Sequence, residues 1–547
     1  MATNLVCRWV ENLTPSAIMA ASVGALVLLV LANALVARSS ILPGVPKLKG
    51  YPLVGSLPEY LAKGPAHLMG RLIDTGGEGI SYANVAGSVV VSVHEPAMVK
   101  EVLSLPDEIA SREGDASASR VNWTPVSTLG RLIGNPALIS NVGPETDHQR
   151  NVMLREFNGT KSNKTKFETI LRIATEHCAN LVPAGALESA RIPDMRSVVD
   201  RFAISLWGDI LYGNPASHTD GKIVDVSNII LTRMVVPWSA FWHNLQLVLG
   251  LTSRGQPTAY EAKIRAQVGN IIDNNVNKLH EYEAKDMSSS LLGTKSIRAI
   301  SVLTGGSING PLSKFASEFA RVNLCGGHQS IGLDIVWTLV ELGKNPEKLA
   351  RLVAEIDSVE GPLDFDTVNG KMPYLDAVVT EVNRLYPPGH ASTRVINKEV
   401  RLESASSIKP SFGDLKERAI PSEVVLKPGM MVYLSFLHIN RSEEYWGRDA
   451  AEFVPQRFIK KHKECNGGEE RADGSEERKL GTLMTYGYGP RNCVGYKFAV
   501  LAAKVYLIML LKMFKLELEE YNHEMKLVAL LEPSKPVAVR LTRRVDC

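Results

Sequence analysis

The stretch YGYGPRNCVGYKFA, residues 486–499, sets one cysteine, Cys493, in a glycine-rich turn directly ahead of a strongly helical run. A helix N-terminus directs backbone N–H groups and the positive end of its dipole at such a sulfur, which favours the thiolate over the thiol. A buried inert cysteine is the alternative, and it is the default for Cys178 and Cys325. The remaining cysteines, Cys7, Cys465 and Cys547, are as scattered as these. With no CxxC pair and no histidines at zinc spacing, neither a disulfide framework nor a structural zinc site is indicated.

Glu381 and Arg384 stand at i and i+3 in a segment, Pro373 to Tyr386, that ends at Pro387-Pro388, so both fall on one face of a helix. Alone, such a pair is common on surfaces. In the run from Ser313 to Leu342, apolar around most of its circumference and so expected to cross the interior, Gly326 and Gly327 interrupt the pattern. Two adjacent mid-helix glycines cost about 1 kcal/mol each relative to alanine. They either clear space for a flat object to approach the backbone or serve ordinary helix packing.

The elements that must hold these groups follow from pattern. GISYANVAGSVVVSVHEP, Gly79 to Pro96, alternates around a glycine turn and predicts a hairpin; helical segments dominate residues 97–390; a second strand-rich region spans Arg394 to Leu434. A third helix, too apolar for a surface, begins near Cys493. The polar segments Ser404 to Glu417 and Lys461 to Lys479 read as exposed insertions. No repeat of fixed period and no linker divides residues 50–547, which favours one large mixed domain.

Lysine and arginine total 61 against 58 acidic residues in 547, a formal charge of +3, too balanced to imply nucleic-acid binding. Ser16 to Ala37 is uncharged and long enough to cross a bilayer core, so it predicts one transmembrane helix, with a cleaved signal peptide as the alternative. Arg38, Lys47 and Lys49 follow it, whereas Arg8 and Glu11 before it largely cancel; the bias places the large domain in the cytoplasm. The expected organisation is an anchor segment (residues 1–37), a proline- and glycine-rich hinge (38–57) and a catalytic domain (58–547).

Taken together, these residues resemble the cytochrome P450 family. Gly489, Arg491, Cys493 and Gly495 match its haem-binding loop F-x-x-G-x-R-x-C-x-G, Glu381-x-x-Arg384 its E-x-x-R helix, and Pro455-x-Arg457-Phe458 its P-x-R-F element, in the right order across residues 40–545. The resemblance implies a mainly α fold with smaller β regions (α+β), the cytochrome P450 fold, preceded by the single transmembrane helix. It implies haem b with Cys493 as axial thiolate, a ligand that pushes electron density to iron and favours O–O cleavage. Glu381, Arg384 and Arg457 would form a buried ionic triad, and Arg150, Arg394 and Arg491 would hold the propionates. Tyr486 takes the place of the loop's usual phenylalanine. Arg150 matches least well, because Thr146 stands where the family has tryptophan, with His148 as a possible substitute donor; a solvated surface role is its alternative. The family's distal A/G-G-x-D/E-T becomes GGHQS, so Gln329 and Ser330 replace an acid and a threonine in the expected proton relay, with His328 a remoter candidate.

The implied activity is a monooxygenase of the endoplasmic reticulum membrane, single-pass and facing the cytoplasm, that oxidises a lipophilic small molecule in secondary metabolism. No nicotinamide or flavin domain is present in the sequence, so NADPH acts through a separate flavoprotein reductase, with Lys497, Lys460, Lys461 and Lys463 as candidate contacts. The alternatives are a haem-thiolate isomerase, dehydratase or oxidative coupling enzyme without net oxygen insertion, and a non-enzymatic haem-binding protein. The regions Val121 to Leu138 and Val236 to Leu251 are expected to line or cover the access route.

Overall fold

The computed structural model describes residues 42–51, 54–76, 79–112, 144–182, 188–212, 243, 246, 257–259, 261–270, 314–403, 423–459 and 483–544. The expected anchor, both polar insertions, Lys460, Lys461, Lys463 and nearly all of the two access regions lie outside them. Among the described residues, no helix is long and apolar enough to cross a membrane.

The architecture is mainly helical with small sheets. The hairpin forms where alternation predicts it, from β1 (Ile80–Val85) and β2 (Ser88–Val93). Its turn is tight because Ala86 and Gly87 both take positive φ, 48° and 85°, and the Asn84 side chain accepts the Gly87 N–H at 2.7 Å. Valines of β2 then continue a five-stranded sheet, with β3 at Ala110–Ser111, β4 at Ala391–Ile396 and β5 at Met431–Ser435, in the order β1-β2-β5-β4-β3. The β2–β5 pair is parallel and the other pairs antiparallel. The proline-rich stretch after residue 42 is stitched to this sheet: the Leu48 N–H donates to Tyr82 and the Tyr82 N–H to Pro46, while Leu42, Val45 and Leu48 are buried.

Four helices make the frame of the site: α1 (Pro144–Asn158), α2 (Lys314–Lys344), α3 (Pro373–Leu385) and α4 (Tyr496–Met513). At 31 residues α2 is ~46 Å long, and it packs against both α3 and α4. Gly326 and Gly327 do not interrupt it; helical bonding runs through both, because the long helix around them supplies cooperativity that a short one lacks. From Ile331 to Leu342 every α2 residue is buried, as are Leu501, Ala502, Val505, Leu507 and Leu510 of α4. Each such valine, leucine or isoleucine side chain contributes about 1.5–3 kcal/mol by leaving water. Trp337 of α2 stacks on Tyr386 at 4.1 Å, and its indole N–H donates to the Leu531 carbonyl.

Candidate functional site

Cys493 sits between a short 3-10 turn at Gly489–Arg491 and the first turn of α4. Its N–H donates to the Tyr486 carbonyl at 2.8 Å, closing the loop on itself, and the Asn158 side chain at the end of α1 bridges the Cys493 carbonyl and the Lys497 N–H. Gly489 is required twice over: φ is +70°, and a Cβ there would lie 2.6 Å from the Leu103 carbonyl oxygen. The sulfur is accessible yet lies deep among protein atoms. Burial pushes its thiol pKa up, against the Gly495 N–H, Arg150 and Arg112, which draw it down. The helix start supplies an N–H to the sulfur, as expected, and desolvation acts in the opposite sense; a cation bound at sulfur would displace the proton.

Four arginines surround this turn. Arg150, on α1, donates to both the carbonyl and the Oδ1 of Asn492; it is 7% exposed, which removes the solvated surface alternative. Arg394, on β4, is 2% exposed and donates to Ser392 Oγ and the Thr393 carbonyl, both at 2.9 Å. Arg491 donates through Nε to Asp107 Oδ2 at 3.0 Å, and Arg112 donates to the Arg491 carbonyl at 3.1 Å. Burial first and neighbouring arginines second depress the guanidinium pKa of Arg394 to about 9 and that of Arg150 to about 10. Arg112 is lowered for the same reasons, and its Nε is buried without a hydrogen-bond partner. Among the described residues, Asp107 is the carboxylate whose charge acts on both Arg112 and Arg394. A set with surplus positive charge, converging on a sulfur, fits a metal-bearing group with two carboxylates, as haem is.

A second cluster lies on α3. Glu381 Oε2 accepts from Arg384 Nε at 2.7 Å, and Oε1 accepts from Arg384 Nη2 at 2.8 Å, Arg457 Nε at 3.3 Å and the Val454 N–H at 2.8 Å. Arg384 also donates to the carbonyls of Asn440, Ala450 and Glu452; Arg457 donates to those of Trp446 and Asp449 and pairs with the Asp449 carboxylate. Side chains of Glu381 and Arg384 are fully buried, and that of Arg457 is 8% exposed.

On α2, His328 and Gln329 are buried and Ser330 is half-buried; His148 on α1 is exposed. Tyr486 is half-buried, its ring 5.1 Å from that of Tyr496. Sequence reasoning missed Arg112 and Asp107, which nothing in their local pattern marks. It also missed Asp334, for which a signal did exist: an acid inside the apolar run IGLDIVWTL.

The sequence matches the family model described as Cytochrome P450 over residues 43–410 and 414–541. It is 32% identical over 199 residues to the cytochrome P450 monooxygenase claP of Ampulloclitocybe clavipes (36% of this chain, 35% of the relative) and 32% identical over 221 residues to an 11-oxo-beta-amyrin 30-oxidase of Glycyrrhiza uralensis (40% and 36%). It is 27% identical over 296 residues to an echinocystic acid 23-monooxygenase of Saponaria officinalis (52% and 50%). The aligned stretches thus span between about a third and a half of these relatives.

Proposed function

The chain belongs to the cytochrome P450 family, and from that premise we propose that it is a haem-thiolate monooxygenase that oxidises a lipophilic small molecule with dioxygen and electrons from an NADPH-dependent flavoprotein reductase. The observation that carries the reading is the convergence of Arg112, Arg150, Arg394 and Arg491 on the turn that presents Cys493. Haem b bound there would supply a thiolate-ligated iron able to activate dioxygen.

The chain's own residues divide the remaining work. The arginines neutralise and orient the two carboxylates, and the Gly495 N–H spreads charge on the Cys493 sulfur. Tyr486 fixes the loop through its carbonyl. Glu381, Arg384 and Arg457 tie α3 to the segments 440–457 that support the loop. Ser330 donates a proton from its hydroxyl on the distal side, and Gln329 orders water there, because an amide binds water but does not titrate. Lys497 and its neighbours meet an acidic reductase. Ser16 to Ala37 anchors the chain in the endoplasmic reticulum membrane. Two relatives, named as an 11-oxo-beta-amyrin 30-oxidase and an echinocystic acid 23-monooxygenase, support a lipophilic biosynthetic substrate.

The ferrous carbon monoxide difference spectrum tests the core of the reading: the wild type is expected to give the thiolate band, and Cys493→Ser to lose it. A wild type without that band overturns the haem-thiolate assignment. Ser330→Ala is expected to keep substrate binding and to divert electrons into hydrogen peroxide, lowering coupled product about 10- to 100-fold; unchanged coupling removes Ser330 from the relay. The carboxylate missing at Gln329 favours one second reading, a haem-thiolate isomerase, dehydratase or coupling enzyme. Incubation with reductase, NADPH, a metabolite extract and isotopically labelled dioxygen separates the two, since only the monooxygenase places label in its product.

A further inference from the structure

One carboxyl on α2 has no part in the proposal above. Asp334 lies one turn beyond Ser330 and is 3% exposed. Its Oδ1 is buried without a hydrogen-bond partner, and so is the Oδ1 of Asn383, its neighbour on α3. Asn383 Nδ2 donates to the Val379 carbonyl, and Asn383 is the one side chain that acts against the burial of Asp334. On its own helix Ser330 and Thr338 flank it, Thr338 Oγ1 donating to its carbonyl at 2.6 Å. Asn383, which bonds the Asp334 carboxyl, joins it to the cysteine turn: Thr485 Oγ1 donates to the Asn383 carbonyl at 2.7 Å, and the next residue, Tyr486, accepts the Cys493 N–H through its carbonyl, so the charge of Asp334 acts on Tyr486 and Cys493. Among the described residues no lysine, arginine or histidine acts on it.

An ionised carboxylate costs several kcal/mol in such a place when no cation pairs with it. Asp334 therefore keeps its proton: burial pushes its pKa up to about 8. A neutral acid beside the iron-ligating turn has a consequence beyond packing, because any negative charge added at Cys493 increases the affinity of Asp334 for its proton.

We propose that Asp334 is a redox-linked proton site for the group bound at Cys493. The inference rests on the haem-thiolate reading. One electron, from the flavoprotein reductase or from dithionite in vitro, reduces the cysteine-bound iron from ferric to ferrous. Where Asp334 is ionised, its carboxylate takes one proton from solvent and an O–H bond forms, so the added charge is cancelled within the protein. Where it is already protonated, it holds that proton and the electron arrives with no second negative charge beside the thiolate.

The test is an anaerobic spectroelectrochemical titration of purified full-length holoprotein from about pH 6 to about pH 9, with the carbon monoxide band recorded alongside. In the wild type the ferrous-to-ferric ratio at fixed potential is expected to fall as pH rises through the upper part of that range. The slope approaches tenfold per pH unit, which is ~59 mV for a one-electron couple. Asp334→Asn, which keeps the shape and removes the titration, is expected to retain the thiolate band and lose that slope. An equal slope in Asp334→Asn, or a flat wild type that shows the thiolate band, overturns the inference while leaving the haem reading intact. A wild type without the band overturns both. If Asp334→Asn does not retain haem, reduced-minus-oxidised infrared difference spectra of the wild type decide. A protonated-carboxyl band shifted by deuterium oxide supports the site, and its absence at pH values above about 8 removes it.

Discussion

The ion pairs around Glu381 and the arginines around Cys493 are both buried and both assembled from distant parts of the chain, and they differ in charge balance. Glu381 and Asp449 face Arg384 and Arg457, two negative charges against two positive, and backbone carbonyls take up the guanidinium N–H groups that remain. Around Cys493 stand four guanidiniums: Asp107 is bonded by Arg491 and acts on Arg112 and Arg394, and neighbouring arginines lower Arg112, Arg150 and Arg394. A closed set of charges holds a fold together and has nothing left to bind. An open set is costly in the protein alone and becomes favourable when an anionic group arrives. The difference separates scaffold from site without reference to any relative.

Breaking the closed set has the largest expected effect. Glu381→Ala leaves two buried arginines without their carboxylate, a loss of about 3–5 kcal/mol; the haem-to-protein ratio and the thermal midpoint are both expected to collapse, and a normal haem content would show that the cluster supports nothing. Opening the other set by one member has a smaller and split effect. Arg394→Leu is expected to speed haem loss about tenfold, ~1.4 kcal/mol, while the apoprotein melts no lower than wild type because one mutually repelling charge is gone. An apoprotein destabilised as strongly as Glu381→Ala would erase the distinction between the clusters.

Asp334 sharpens the comparison as a group with no counter-charge among the described residues. Its folded pKa is raised to about 8 above the ordinary carboxyl value near ~3.9, so the folded chain holds a proton that the unfolded chain has released. Its contribution to stability is full below the unfolded value and is lost as pH rises toward the folded one. Denaturant titrations across that window are expected to show a declining stability in the wild type and a flatter profile in Asp334→Asn. The smallest effect is at an exposed pair: Arg401→Ala removes a 2.9 Å bridge to Glu423 whose partners are both largely solvated, with an expected change under ~0.5 kcal/mol in chemical denaturation.

Local chemistry was legible where a few consecutive residues carry it. The Ala86-Gly87 turn, the proline stops of α3, the cysteine turn and the length of α2 all follow from residue type and spacing. For Cys493 the helix start is visible in sequence and the depth of the surrounding protein is not. The glycines of α2 were over-read as an interruption, because the cost of one residue does not reveal how much helix on each side absorbs it.

The sequence by itself determined the family, the ligand-bearing turn and the order of its elements, since these depend on covalent neighbours and on periodicities of two and 3.6 residues. Only the tertiary structure decided that Arg112 and Asp107 join Arg491 from 379 and 384 residues away, that Arg150 is buried against Asn492, and that among the described residues no cation acts on Asp334. Charge balance at a buried site is a sum over whatever packing brings together, and no local stretch of chain contains that sum.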